Sequence, residues 1–302
     1  MPHHHEHSRG HAPEHPGQPD WTEQLEALVR EGEIGAPWVR QAIDWLGPLT
    51  GEPVGRVVDV GSGPGIAAVM LAEAFPAAYV TAFDGNPTLL QAAAERADAA
   101  ELGNRFSTRH GQIGPGLADL GPADLIWVSH VLHHLADPVD GIRSLGEVLR
   151  PPARGRRNGG VLAVAEGGLP MRFLPGGYGV GDPSLISRLE AATGERARRH
   201  WGMTSAALDG GRDWPLLLAD AGLEHLGTRT FLLDLPAPVD DRTREFVVDR
   251  FAGPAPELDD LLDATDAAAL RRLVDPGDPA ALVNRPDLFV LAAHTVHLAR
   301  RP

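Results

Sequence analysis

A short apolar strand followed by a glycine-rich turn constrains this chain more than any other segment. Residues 57–60 read Val-Val-Asp-Val and lead into Gly61, after which Gly63 and Gly65 alternate with other residues. A strand, a glycine turn and a helix in this order place backbone N–H groups and a helix N-terminus beside a nucleotide-like ligand. The dinucleotide fingerprint Gly-x-Gly-x-x-Gly would put its third glycine at Ile66, so the spacing differs from it by one residue.

The composition removes several classes of function. The 302 residues include no cysteine, which excludes disulfides, a thiol nucleophile and thiolate metal sites. All 27 basic residues are arginine, so P-loop, Schiff-base and kinase lysines are excluded as well. The formal charge of −14 disfavours a general nucleic-acid binder and favours a small-molecule substrate. The sequence has neither a membrane-length apolar stretch nor an apolar signal segment, so we expect a soluble, cytoplasmic protein.

The chain is predicted to divide into a leader, a helical cap and a main domain. The leader is rich in His, Pro and Gly without apolar periodicity, which is typical of disorder. In the cap we expect one helix that begins after Asp20 and a second that begins near Pro37 and ends near Leu46. The segments are residues 1–19 for the leader, 20–50 for the cap and 51–302 for the main domain, with an insertion at about 167–212.

The main domain alternates strand and helix patterns. Strands are predicted over residues 54–60, 79–84, 105–110, 124–129 and 160–166, and helices over about 65–75, 87–101 and 138–149. This alternation predicts an α/β fold with a parallel, doubly wound sheet. Two long β-rich runs follow at 223–235 and 287–298, and the acidic, helical stretch between them does not fit a simple repeat of strand and helix.

A second motif ends in an acidic residue. Asp84 closes the strand over 79–84 and is followed by Gly85 and Asn86. A carboxylate at the carboxyl end of a strand can accept both hydrogen bonds of a ribose diol. A nicotinamide enzyme would use an acid at a similar place, and an Asp that caps the next helix is a third interpretation.

Two further motifs follow the next strands. His110-Gly111-Gln112-Ile113 comes after the third strand, where a loop with no ligand is an equally good interpretation. The fourth strand leads into Ser129-His130-x-x-His133-His134-Leu-x-Asp-Pro. A neutral imidazole titrates near working pH and suits a general base, although a histidine that packs or caps the next helix has the same pattern. No carboxylate has the placement that a metal site with these histidines needs, so no metal is expected.

In their order and spacing over residues 57–138, the four motifs resemble class I S-adenosylmethionine-dependent methyltransferases. Their His-His-Leu segment is similar to the corresponding motif of the branch that acts in menaquinone and ubiquinone biosynthesis. The resemblance implies a Rossmann-like, mostly parallel seven-stranded sheet whose last strand is inserted antiparallel. It also implies S-adenosylmethionine as cofactor, S-adenosylhomocysteine as product and a small-molecule methyl acceptor.

The resemblance assigns roles to individual residues. Those beside the methionine part of the cofactor are Asp59, Gly61, Ser62, Gly63 and Gly65, and those beside the ribose are Asp84, Gly85 and Asn86. Those beside the adenine are Gly111, Gln112 and Ile113, although many members have Gly-Asp where this chain has Gly111-Gln112. Ser129 and His130 are assigned to the methyl end, with His133 or His134 as the general base.

Several alternatives remain open at this level. A nicotinamide-dependent oxidoreductase of related fold and a non-catalytic, cofactor-binding regulatory protein share parts of the pattern. The sequence does not determine the oligomeric state, so a homodimer is one alternative. Candidates for the acceptor wall come from the cap and the insertion, and they are Trp21, Trp38, Trp45, Met171, Arg172, Phe173 and Tyr178.

Overall fold

The computed structural model describes residues 24–51, 53–153, 158–177, 179–182, 184–201, 212–258 and 260–302. The strands of this part of the chain are β1 Arg56–Val60, β2 Tyr79–Asp84, β3 Phe106–His110, β4 Leu125–Ser129, β5 Val161–Arg172, β6 Glu224–Leu235 and β7 Val290–Arg300. They form one sheet in the order β3-β2-β1-β4-β5-β7-β6. Strands β1 to β5 pair in parallel, and β7 lies antiparallel between β5 and β6. The predicted fold is therefore confirmed, including the antiparallel last strand.

Helices connect these strands on both faces of the sheet. They are α1 Leu25–Leu46, α2 Ile66–Ala74, α3 Pro87–Ala99, α4 Pro138–Val148, α5 Leu185–Trp201, α6 Trp214–Asp220, α7 Asp241–Ala252, α8 Ala255–Leu258 and α9 Ala264–Val274. Five of them begin at a side chain that accepts backbone N–H groups of the first turn, namely Asn86, Asp137, Asp213, Asp240 and Asp263. Among the described residues, none of these helices is long and apolar enough to cross a membrane.

The helical cap differs from its prediction. One continuous helix, α1, takes the place of the two that the sequence indicates, and Pro37 lies inside it. A proline inside a helix costs about 3 kcal/mol because it removes a hydrogen bond and crowds the preceding turn. Buried Ile34, Trp38 and Val39 lie on both sides of Pro37 in the chain, and their packing on the sheet offsets this cost. The predicted cap at Asp20 lies outside the described residues.

The sheet separates two hydrophobic cores. On one face, Trp38 of α1 and Leu71 of α2 pack with Trp127 of β4. On the other face, Ile142 of α4 and Trp214 of α6 pack with the alternate strand residues, whose side chains point to that face. Successive strand residues point to opposite faces, so each apolar strand contributes to both cores.

Three strands are twice as long as the others. β5, β6 and β7 have 12, 12 and 11 residues, whereas β1 to β4 have five or six. Ser129, the last residue of β4, pairs with Ala165, and β5 continues from there to Arg172. The predicted strand over 160–166 was therefore too short. The extended part of β5 pairs Gly168 with His294 of β7, which brings the first half of β7 to the carboxyl edge of the parallel strands.

Candidate active site

The glycine turn after β1 is packed at its ends and open in its middle. The φ angles of Gly61, Gly63 and Gly65 are +67°, +52° and +78°, a left-handed conformation that other residues rarely adopt. A Cβ atom on Gly61 would lie 2.2 Å from Cγ2 of Val131, and one on Gly65 would lie 2.6 Å from Cβ of Ala93. Nothing lies within 4 Å of the Cβ position of Gly63. The middle of the turn therefore leaves room for a ligand to approach the backbone.

Two buried polar side chains beside this turn have atoms without a hydrogen-bond partner. Asp59 is 2% exposed and Ser62 is 9% exposed, and neither Oδ2 of Asp59 nor Oγ of Ser62 is hydrogen bonded. Burial, and secondarily the charge of nearby Asp84, raises the pKa of Asp59 from 3.8 to about 8. Buried groups of this kind are usually paired, so unpaired atoms beside an open turn indicate a ligand that supplies the partners.

The raised pKa of Asp59 predicts a pH dependence of stability. Between 3.8 and about 8, the folded carboxyl keeps a proton that the unfolded chain loses. Its contribution to the free energy of unfolding is therefore complete below the lower value and is lost as pH rises through the upper one. We expect ligand-free wild type to lose stability relative to Asp59→Asn progressively as the pH rises from about 4 to about 8, and to change little above that. Urea denaturation of both proteins across this range measures the difference, and a gap that does not change with pH contradicts the raised pKa.

Asp84 joins the end of β2 to the glycine turn. Its Oδ2 accepts the N–H of Gly63 at 2.9 Å, and its Oδ1 accepts the N–H of Asn86 at 2.8 Å. The cap of α3 is Asn86, whose side chain accepts the N–H groups of Thr88 and Leu89. Capping therefore does not require Asp84, and the carboxylate faces the turn.

The third motif lies next to Asp84. The N–H of Gly111 donates to the main-chain oxygen of Asp84 at 3.0 Å, and His110 Nε2 lies 3.0 Å from the oxygen of Gly85. The side chain of Gln112 lies beside Gly85, since its Nε2 is 3.6 Å from the Cβ position of that glycine. Ile113 packs against the core formed with α4. The structure thus brings the Gly85 and Gly111–Ile113 segments together at the β2 and β3 ends of the sheet.

Glu166, in the extended β5, organises the turn that carries the histidines. Its Oε1 accepts the N–H groups of Val131 and Leu132 at 2.9 and 2.8 Å, and its Oε2 lies 2.9 Å from Nδ1 of His133. Burial tends to raise the pKa of Glu166, but the hydrogen bond from His133 and the backbone contacts hold it below its ordinary value. An ionised carboxylate only accepts, so Nδ1 of His133 carries the proton and Nε2 is the basic atom.

Trp38, His130 and His294 form a cluster of rings beside this turn. The rings of Trp38 and His294 stack at 4.3 Å between centroids, with 11° between their planes. His130 lies edge-on to both, at 6.4 Å from Trp38 and 5.7 Å from His294. His130 has a φ of +55°, unusual for a residue with a side chain, and the buried Nε2 of His294 has no hydrogen-bond partner.

His130, His134 and His294 are neutral at pH 7. Burial, and then the neighbouring His133, lowers the pKa of His134 to about 4. Burial likewise lowers the pKa of His294 to about 4 and moves that of His130 below its ordinary value. His130 keeps exposed surface, and its ring lies edge-on to those of Trp38, His133 and His294. The acids Glu166 and Glu31 oppose this lowering of the pKa of His130, whereas neighbouring His133 adds to it.

Most predicted site residues meet at one edge of the sheet, and two important neighbours were missed. The predicted residues lie at the carboxyl ends of β1 to β4, where ligands bind in open α/β sheets. Glu166 was missed although it resembles Asp59 and Asp84 in being an acid near the end of an apolar strand pattern. His294 was missed because only the antiparallel pairing of β7 brings it to this edge.

Several candidates for the acceptor wall have other roles. Trp45 packs on Phe231 at 5.7 Å between ring centroids, and Phe173 packs between Phe246 and Phe251 in the core. Arg172 pairs with Glu190. These contacts favour packing or ion-pair roles for the three residues, whereas Trp38 lies beside the ring of His130. Trp21 and Tyr178 lie outside the described residues.

The described part of the chain has no cluster of three or more His, Asp and Glu side chains arranged to hold a metal ion. The four histidines near the site lie in pairs or stacks, and Glu166 is taken up by the backbone and by His133.

Comparison with known proteins identifies the region that carries the four motifs. Residues 58–155 match the family model of a methyltransferase domain. This segment is a methyltransferase domain. The match covers β1 to α4 and so includes the glycine turn, Asp84 and the histidine turn. The branch within the class stays a prediction.

Two curated methyltransferases match parts of this chain. Trans-aconitate 2-methyltransferase of Rhizobium leguminosarum bv. trifolii is 31% identical over 159 residues, which cover 51% of this chain and 50% of that protein. The tRNA1(Val) (adenine(37)-N6)-methyltransferase of Vibrio campbellii is 28% identical over 88 residues, 28% of this chain and 36% of that protein. The chain spans at most half the length of the curated relatives it matches.

One solved structure supports the fold over most of the chain. The Bacillus halodurans protein BH2331, provisionally assigned as a methyltransferase, matches 86% of this chain and 98% of its own with a TM-score of 0.52. Its sequence identity of 16% makes this evidence for the fold alone.

The site fits S-adenosylmethionine, the cofactor of this class, and the family match confirms that prediction. The open backbone at Gly63, the unpaired atoms of Asp59 and Ser62, and the strand-end carboxylate of Asp84 are the groups that an amino-acid and nucleoside ligand needs.

Proposed function

We propose that the chain transfers the methyl group of S-adenosylmethionine to a small-molecule acceptor. One observation carries this proposal. At one edge of the sheet, a glycine turn with open space at its middle lies near a histidine that is held by a buried carboxylate. The acidic net charge and the name of the Rhizobium relative support a small molecule over a nucleic acid. The Vibrio relative, named as a tRNA enzyme, matches a smaller part of the chain.

In this proposal the chain binds the cofactor along the ends of β1, β2 and β3. Asp59 and Ser62 hold the methionine part beside the open Gly63, and Asp84 accepts the hydrogen bonds of the ribose diol. Gln112 and Ile113 flank the adenine. Ser129 and His130 lie at the methyl end because β4 ends next to β1 in the sheet.

When bound, S-adenosylmethionine supplies an electrophilic methyl carbon on a sulfonium. Displacement at this carbon depends on alignment of the acceptor with the S–CH₃ bond, and the protein supplies that alignment. His133 removes the acceptor proton at Nε2 while Glu166 holds Nδ1 and stabilises the imidazolium that forms. His134, whose pKa of about 4 makes it a weak base, lies beside His133 without this support.

The ribose assignment makes a direct prediction for Asp84. Asp84→Ala removes an acceptor of two hydrogen bonds, so S-adenosylhomocysteine should bind more weakly by ~1–3 kcal/mol. Isothermal titration calorimetry measures this loss. Asp119→Ala, an exposed acid of the loop before β4, is the matched control and should bind as wild type does. Unchanged affinity in Asp84→Ala would contradict the ribose role.

Cofactor choice and catalysis are tested separately. Calorimetry with S-adenosylhomocysteine and with NAD distinguishes a methyltransferase from a nicotinamide enzyme, and we expect heat only from the first ligand. Methyl transfer to a panel of small acceptors then distinguishes an enzyme from a non-catalytic binding protein. Binding of NAD alone, or cofactor binding with no transfer to any acceptor, would contradict the proposal.

A further inference from the structure

We propose that His297 of β7 is a positioning residue for the pair of Glu166 and His133, with Thr228 of β6 as its support. This inference rests on the proposed function and deepens it, because it identifies what fixes the carboxylate that orients the base. Three features carry it: a bulge in β5 at Glu166, a hydrogen bond from His297 to the main chain at that bulge, and a hydrogen bond that orients the ring of His297.

The first feature is the bulge in β5. Glu166 and Gly167 lie opposite the single residue Thr295 of β7, because the register between the two strands shifts there. Gly167 and Gly168 have φ angles of +78° and +125°, and a Cβ atom on Gly168 would collide with the main-chain oxygen of Ala293. The sequence Glu-Gly-Gly therefore permits a backbone that other residues rarely adopt. A bulge takes residues out of the hydrogen-bond ladder and redirects their side chains, so the main chain of Glu166 needs another partner.

His297 supplies that partner. It pairs with Val164, two residues before Glu166 in β5, and its ring is buried. The main chain of Glu166 accepts a hydrogen bond from this ring, while the carboxylate of the same residue lies 2.9 Å from Nδ1 of His133. Because the held backbone and the carboxylate belong to one residue, His297 fixes the position of the carboxylate relative to His133.

Thr228 orients the ring of His297. Burial lowers the pKa of His297 below its ordinary value, so the ring is neutral at pH 7 and has one N–H donor and one acceptor nitrogen. Donation to Glu166 uses the N–H, and Nδ1, which lies 2.9 Å from Oγ1 of Thr228, accepts from that hydroxyl. The hydroxyl oxygen in turn lies 2.9 Å from Nε2 of His225. A chain of hydrogen bonds thus runs from β6 across β7 to the bulge in β5.

This arrangement is expected to affect the rate and not the binding of the cofactor. Misplacement of a reacting group by ~1 Å can cost ~10²-fold in rate. The groups proposed to hold S-adenosylmethionine lie at the ends of β1, β2 and β3, whereas His297 lies on β7. Loss of His297 should therefore lower kcat and leave the affinity for S-adenosylhomocysteine unchanged.

His297→Phe and His297→Gln test the contact directly. Phenylalanine keeps a ring but loses both nitrogens, whereas glutamine keeps an N–H donor and an acceptor. NMR spectra of the histidine ring nitrogens distinguish the two tautomers of His133 at a pH where that ring is neutral. We expect wild type and His297→Gln to hold His133 as the Nδ1–H tautomer. His297→Phe should give a mixture with the Nε2–H tautomer, because a misplaced Glu166 no longer selects one of them.

Thr228→Val and Thr230→Val form a matched pair. Both residues lie on β6 and each hydroxyl contacts a side chain of β7, but Thr230 contacts Thr295 and not His297. Thr228→Val should shift His133 toward the mixture of tautomers, and Thr230→Val should keep the wild-type spectrum. Calorimetry with S-adenosylhomocysteine should give wild-type affinity for all four variants, which also shows that they fold.

Kinetics and spectra together decide the role of His297. With the acceptor that the panel identifies, His297→Phe should lower kcat about tenfold or more and change the KM for S-adenosylmethionine less than about twofold. The wild-type tautomer of His133 in both His297→Phe and Thr228→Val overturns the proposal, and if His297→Phe does not bind S-adenosylhomocysteine, Thr228→Val alone decides. A mixture of tautomers in His297→Gln as well would assign the effect to ring packing and overturn the role of the hydrogen bond. If wild type transfers no methyl group to any acceptor, the proposed function fails, while the spectra still decide whether His297 positions the pair.

Discussion

Replacing His133 by alanine is expected to slow methyl transfer by ~10²-fold or more, with the affinity for S-adenosylhomocysteine unchanged. The reason is the loss of the basic Nε2, whose orientation comes from the 2.9 Å contact between Nδ1 and Glu166. Steady-state kinetics with an accepted hydroxyl substrate measure the rate, and calorimetry measures the affinity. The loss should appear in kcat, since the residue acts on the reacting proton.

Two companion variants separate this role from simple packing. His134→Ala, in the neighbouring ring, should retain most of the turnover because burial already makes His134 a weak base. Glu166→Gln should fall between the two, since a glutamine has one acceptor oxygen where the turn and His133 together use both oxygens of Glu166. Full turnover in both His133→Ala and Glu166→Gln would exclude the base.

Gly63→Ala is expected to fold and to lose cofactor affinity. Its φ of +52° costs a residue with a side chain ~1–2 kcal/mol, and no protein atom lies within 4 Å of the new methyl group. The methyl group would instead occupy the space that the proposal gives to the cofactor. Overpacking of this kind costs ~1–3 kcal/mol, which corresponds to about fivefold to 150-fold in the affinity for S-adenosylhomocysteine.

The chain provides a close control for this variant. Gly103 has a φ of +57°, also with nothing within 4 Å of its Cβ position, and lies in the turn before β3. Gly103→Ala should therefore show the same loss in the free energy of unfolding as Gly63→Ala and no loss in affinity. Thermal unfolding and calorimetry on both variants make the comparison. Equal affinities in the two variants would contradict a ligand at Gly63.

The sequence predicted features that depend on neighbouring residues and missed those that depend on contacts between residues far apart in the chain. Asp59, the glycines and Asp84 lie within local strand-turn-helix patterns, and the alternation of such patterns fixes the edge at which they meet. Glu166 and His294 act through contacts across 33 and more residues of chain, which no local period records. The continuous α1 was missed for a related reason, because the packing of Trp38 on the sheet outweighs the local effect of Pro37.

The position of Glu166 has a consequence for redesign. The carboxylate that holds His133 belongs to β5 itself, and the chain leaves the sheet only after Arg172. Segments grafted between Phe173 and the start of α6 would therefore leave the pair of Glu166 and His133 in place. Because the sheet itself carries the carboxylate, that contiguous segment of the chain can be exchanged by recombination without changing the contact between Glu166 and Nδ1 of His133.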